Sequence, residues 1–131
     1  MTEHPNADRV RQLIAAFVTA DLVVIEGALA PDVVWHFPGR TGQLAGTHAG
    51  RDAVFGFLAR VVELTNGTFH LDVVDVIAND ERAVVLFRGH GEREGRILDN
   101  PTCLVISMHD GRASEIWEYV WDLDYVEEFW R

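Results

Sequence analysis

The chain has 131 residues, 48% of them apolar, and a formal net charge of −10. That length and apolar content suit one domain, residues 1–131, with a substantial core. The acidic balance argues against nucleic acid or an anionic membrane as partner, since both reward clustered Lys and Arg. A single cysteine, Cys103, rules out an internal disulfide framework and fits a reducing, cytoplasmic compartment. The opening Met-Thr-Glu-His-Pro-Asn has no basic stretch leading into an apolar run, so no signal peptide is expected, and no apolar segment approaches bilayer-spanning length.

The first helix is predicted over about residues 6–20, where Val10, Leu13, Ile14, Phe17 and Val18 form one stripe and Asn6 is the candidate cap. Asp21 can cap a shorter helix to about Leu29, stopped by Pro31. A strand at Val33–Phe37 follows, then a Gly-rich loop from Pro38 to Gly50. A third helix runs from Arg51 to about Thr65, with Val54, Phe57, Leu58 and Val61 on its buried face, and Asn66-Gly67 ends it. Four strands are predicted at about 68–78, 83–92, 96–108 and 113–121. The turns Asn79-Asp80, Glu94-Gly95 and Asp110-Gly111 make them antiparallel neighbours. The acidic tail from Asp122 has room for one or two helical turns. This order gives an α+β fold, a curved antiparallel sheet with three helices on one face, enclosing a cone-shaped pocket.

His36 is the most informative residue. It interrupts the apolar run Val33-Val34-Trp35-His36-Phe37, and a buried imidazole needs hydrogen-bond partners or a cavity. A core histidine bonded to backbone and a proton-exchanging group aimed into a pocket both fit this setting.

Several segments carry a family resemblance. They are Ala30-Pro31-Asp32-Val33-Val34-Trp35-His36 leading to Pro38-Gly39, Leu44-Ala45-Gly46-Thr47-His48-Ala49-Gly50-Arg51-Asp52-Ala53-Val54, and Asp110-Gly111 followed by Trp117 and Asp122. Through them nearly the whole chain resembles the SnoaL-like group of the nuclear-transport-factor-2-like superfamily. The resemblance implies a cystatin-like α+β barrel and pairing of two copies through the outer sheet face. The superfamily includes ketosteroid isomerases, polyketide cyclases, limonene-type epoxide hydrolases and non-catalytic binders, and a shared fold does not choose among them.

Position by position, the isomerases carry a carboxylate base where His36 stands, an oxyanion-hole Tyr near Leu13, and a second acid near Thr102-Cys103. Losing both donors speaks against ketosteroid isomerisation. The epoxide hydrolases carry Arg-x-Asp where this chain has Arg88-Gly89-His90, and a further Asp where it has Glu118 or Tyr119. Polar character persists there without the carboxylate pair. Cyclases of the group use an acid near that same last-strand position.

A one-residue slip inverts the faces of the last strand. Counting without gaps turns Ile116, Glu118 and Val120 inward. A bulge turns Trp117, Tyr119 and Trp121 inward instead, and this arrangement is favoured because it buries aromatics rather than a carboxylate. An inward Glu118 would have its pKa raised by desolvation and become the acid.

The resulting expectation is a cofactor-independent acid–base enzyme, a cyclase or isomerase acting on a small hydrophobic, polyketide- or terpenoid-like molecule. His36, Tyr119 or Glu118, His90 and Arg88 are the catalytic candidates. Trp35, His48, Phe57, Asn100, Trp117, Trp121 and Asp122 are the candidates for substrate contact. An epoxide hydrolase and a non-catalytic binder are the alternatives. His48 also reads as a surface loop residue, His70 as solvated and Cys103 as a small core side chain. The histidines show neither i, i+4 nor His-x-His spacing, which gives a metal site weak support.

Overall fold

The structure, a computed structural model, describes residues 3–131. Helix α1 (Pro5–Thr19) begins on Pro5, whose fixed φ suits a first turn, and is capped by His4, whose Nδ1 accepts from the Asn6 amide at 3.1 Å. The cap is therefore His4 rather than Asn6. Asn6 is buried, and its Nδ2 donates to the carbonyls of Asn79 (2.9 Å) and Asp80 (3.2 Å), fastening α1 to a distant turn. Asn6→Ala would leave those carbonyls short of a partner. A loss of about 1–3 kcal/mol is expected in urea unfolding, and a loss under about 0.5 kcal/mol would show that the tie contributes nothing.

Asp21 caps α2 (Leu22–Ala28) through the Val24 amide, as its sequence context suggests. Strand β1 (Leu29–Phe37) follows directly and is longer than predicted. Pro31 lies inside it, at an irregularity between Leu29 and Val34 where the lost donor is tolerated. The predicted loop holds the short strand β2 (Gly46–Ala49), which pairs with β1. After α3 (Arg51–Leu64) come β3 (His70–Ala78), β4 (Arg82–Arg93), β5 (Arg96–His109) and β6 (Arg112–Val120), then α4 (Leu123–Phe129), capped by Asp122. Both Glu94-Gly95 and Asp110-Gly111 have two successive positive φ values, the turn geometry whose twist matches long antiparallel strands.

The sheet order is β2-β1-β6-β5-β4-β3, antiparallel except for the parallel β1–β6 pair. The fold is α+β, with four helices and a six-stranded, mostly antiparallel sheet. Helices α1 and α3 cover the concave face. One core cluster centres on Val10, Leu29, Val33, Val54, Ile106 and Ile116, and a second on Phe37, Leu44, Phe57, Val126, Phe129 and Trp130. No described helix is long and apolar enough to cross a membrane.

Candidate functional site

A cavity lies between the concave sheet and helices α1 and α3, with about 90 Å³ of space for the centre of a water-sized sphere. That is several times what one water needs. Its wall is apolar: Val10, Leu13, Ile14 and Phe17 from α1, Phe57, Leu58 and Val61 from α3, and alternate residues of the strands. Three lining side chains have polar heads other than an indole: Asn100, Thr102 and Glu118. Glu118 is the one ionisable side chain among the described lining residues.

The inward set on β6 follows from one extra residue. Ser107 pairs with Glu115 and Met108 with Ala113, so Ser114 is bulged. The bulge turns both Ala113 and Ile116 into the core, and alternation then carries Glu118 to the cavity. The expected arrangement of the last strand is thus reversed. Trp117, Tyr119 and Trp121 are 41%, 55% and 85% exposed, on or beyond the convex side. The desolvation cost that argued against an inward carboxylate is reduced here in two ways. The Trp35 indole donates to Glu118 Oε1 at 3.1 Å. In addition, burial pushes the carboxyl up to about 7, with the Trp35 hydrogen bond acting in the opposite direction, so the group can meet its surroundings uncharged. Glu118 keeps some accessible surface while lining the cavity, and enough protein surrounds it to desolvate the carboxyl.

Asn100 and Thr102 complete the polar lining. Asn100 Nδ2 donates to Thr102 Oγ1 at 2.8 Å, and the Asn100 Oδ1 is buried without a partner. A buried carboxamide oxygen of this kind suits a hydroxyl donor on a bound molecule. Thr102 pairs with Val120 and Leu104 with Glu118, so Thr102 is a diagonal neighbour of the carboxylate on the same face.

His36 does not reach the cavity. Trp35 and Phe37 line it, so the intervening side chain is on the convex face. The His36 ring stacks on Trp117 at 3.7 Å between centroids, with Nδ1 3.0 Å from Thr47 Oγ1 and Nε2 2.7 Å from Glu115 Oε2. Thr47 and Trp117 are its register neighbours on β2 and β6, and Glu115, which pairs with Val34, lies two residues before Trp117. Both nitrogens are engaged, and the expected proton exchange with a pocket ligand loses its geometry.

Arg88 and His90 are also on the convex face, since Phe87 and Gly89 line the cavity. Arg88 Nε donates to Asp99 Oδ1 at 3.0 Å. His48 stacks on Phe57 at 4.5 Å and its Nε2 is 2.9 Å from the Leu44 carbonyl, behind the cavity wall. Asp122 is spent on capping α4. Cys103 is half-buried opposite Tyr119, and burial pushes its thiol up, away from the reactive thiolate. Of the expected site residues, Trp35, Phe57, Asn100 and Glu118 come together at the cavity. Phe17, Phe69, Phe87, Leu98 and Trp130, which also line it, were not singled out. The apolar stripe of the first helix carries that signal for Phe17 and strand alternation for Phe87 and Leu98, while Trp130, the C-cap of α4, has no such pattern.

The SnoaL-like domain model matches residues 10–116, and the chain belongs to that family, on the nuclear-transport-factor-2-like fold. An uncharacterised protein of Mycobacterium tuberculosis is 31% identical over 99% of both chains. Bal32a, from a soil-derived mobile gene cassette, is 35% identical and covers 97% of each chain, with a TM-score of 0.92. TerC, crystallised with polyporic acid, is 26% identical over 96% of this chain and 98% of its own, with a TM-score of 0.81.

Proposed function

We propose that the protein is a cofactor-independent acid–base enzyme, a cyclase or isomerase for a small, largely apolar, polyketide- or terpenoid-like molecule. Glu118 is its proton-exchanging group. The observation that carries this reading is one carboxyl, pushed up to about 7, in a mostly apolar cavity. A group that titrates near neutral pH can both give and accept a proton there. Trp35 holds it in place, the aromatic walls bind the carbon skeleton, and Asn100 and Thr102 orient a hydroxyl or carbonyl. The relative crystallised with polyporic acid supports an organic ligand for this fold. Epoxide hydrolysis of the limonene type is disfavoured, since it needs a pair of carboxylates and one is found among the described lining residues. The test is to incubate the protein and its Glu118→Gln variant with polyketide and terpenoid precursors and to follow both bound and converted compounds. Conversion lost in the variant supports the enzyme. Equal ligand retention with no product from either protein favours a binder.

Two copies are proposed to pair through the convex face, where Trp117, Tyr119 and Ile97 are exposed. Sedimentation at micromolar concentration is expected to give the dimer, and a monomer alone would refute the pairing.

A further inference from the structure

On the convex face, away from the cavity, β3 and β4 bring together residues that the sequence holds far apart. His70 pairs directly with His90, and Asp72 with Arg88, so His70, Asp72 and His90 form one corner of the sheet surface. One ligand-type atom from each lies within 4.8 Å of the others. We infer that these three side chains form a binding site for a divalent first-row transition ion, best matched by Zn²⁺, with at least one coordination position left open.

Two imidazoles and one carboxylate are a donor set for zinc rather than for calcium or magnesium, which take oxygen ligands. The outer contacts also suit metal binding. His70 Nδ1 is 3.2 Å from the Thr68 carbonyl, so its N–H is placed to donate there and Nε2 keeps its lone pair. His90 Nδ1 is 3.8 Å from Asp99 Oδ1, too long for a hydrogen bond, and Arg88 Nε donates to that carboxylate, which offsets the guanidinium charge beside the site. His90 Nε2 has almost no solvent access and makes no well-directed hydrogen bond, although Asp72 Oδ2 is 2.9 Å away. A metal bonded to both atoms would satisfy that nitrogen. The two rings stack at 4.7 Å with 13° between their planes. Tetrahedral zinc bonds of about 2.0–2.1 Å place ligand atoms about 3.4 Å apart, so the set must contract, and because the in-plane lone pairs of near-parallel rings do not converge on one ion, the His70 ring must also turn out of the stack. The exposed His70, at the first residue of β3 beyond the Asn66-Gly67 turn, is the side chain that would make that movement, giving up its stacking on His90.

The experiment is calorimetric titration of tag-free, chelator-treated protein with ZnCl₂, repeated on His70→Gln, Asp72→Asn and His90→Gln, with Co²⁺ absorption as an independent readout. One Zn²⁺ per chain is expected, with Kd below about 50 µM, together with the intense visible bands of four-coordinate Co²⁺. Each variant should bind at least tenfold more weakly while melting, without metal, close to the parent. Weaker binding by the parent, or variants that bind zinc as the parent does, would overturn the site. His70→Gln alters an exposed side chain and keeps the test decisive if His90→Gln folds poorly.

Discussion

Glu118→Gln is expected to make the protein more stable above neutral pH and slower on any substrate it converts. The two effects share one cause. Folding raises the carboxyl from an ordinary 4.5 to about 7, because the cavity wall desolvates its charged form more than the Trp35 hydrogen bond favours it. A raised folded-state pKa means that the folded protein holds the proton more tightly than the unfolded chain. Stability is then fully present below about pH 4.5, declines as pH rises through the interval to about 7, and stays reduced above it. At roughly 1.4 kcal/mol for each tenfold change in proton affinity, the alkaline deficit is on the order of 3 kcal/mol. Glutamine keeps the shape and the oxygen that Trp35 needs but cannot ionise. The variant should therefore gain up to about 3 kcal/mol at pH 8.5 and less than about 1 kcal/mol at pH 5, read from urea unfolding at each pH. An identical stability difference at both pH values would mean that Glu118 is not the desolvated carboxyl described. With a substrate in hand, the loss of the proton relay should lower turnover by about 10²–10⁴-fold. An unchanged rate would remove the catalytic role and leave the cavity as a binding site.

Phe129→Ala should cost about 3–5 kcal/mol, the usual penalty for removing a fully buried aromatic. Phe129 is 2% exposed and meets Trp130 edge-on at 4.8 Å. Helix α4 has seven residues, too few to persist on propensity alone. It is held by that burial, by Arg96 donating to the Glu128 carbonyl at 2.6 Å and by the Gln43 amide donating to the Trp130 carbonyl at 3.0 Å. Because Trp130 lines the cavity, loosening α4 also unseats part of the wall. A fall in melting temperature of about 10–20 °C is expected, together with weaker retention of any cavity ligand. A loss below about 1 kcal/mol would show that the end of the chain is not part of the core.

The sequence by itself determined the layers of this protein. The stripe from Val10 to Phe17 made an amphipathic helix legible, and Glu94-Gly95 and Asp110-Gly111 made hairpins legible, because local periodicity and turn chemistry act over a few residues. The family motifs pointed to the same architecture. Which way each strand faces was decided by tertiary structure. Around His36 both faces carry apolar or aromatic residues, so alternation gives no sign of which is inward, and pairing with β2 and β6 turned the imidazole out. On β6 one bulged residue, Ser114, set the inward side of everything after it, and a carboxyl that can be neutral at pH 7 tolerated the inside. His70 and Asp72 alternate along β3, but nothing in the sequence spacing links them to His90, because cross-strand register alone makes His70 and His90 neighbours.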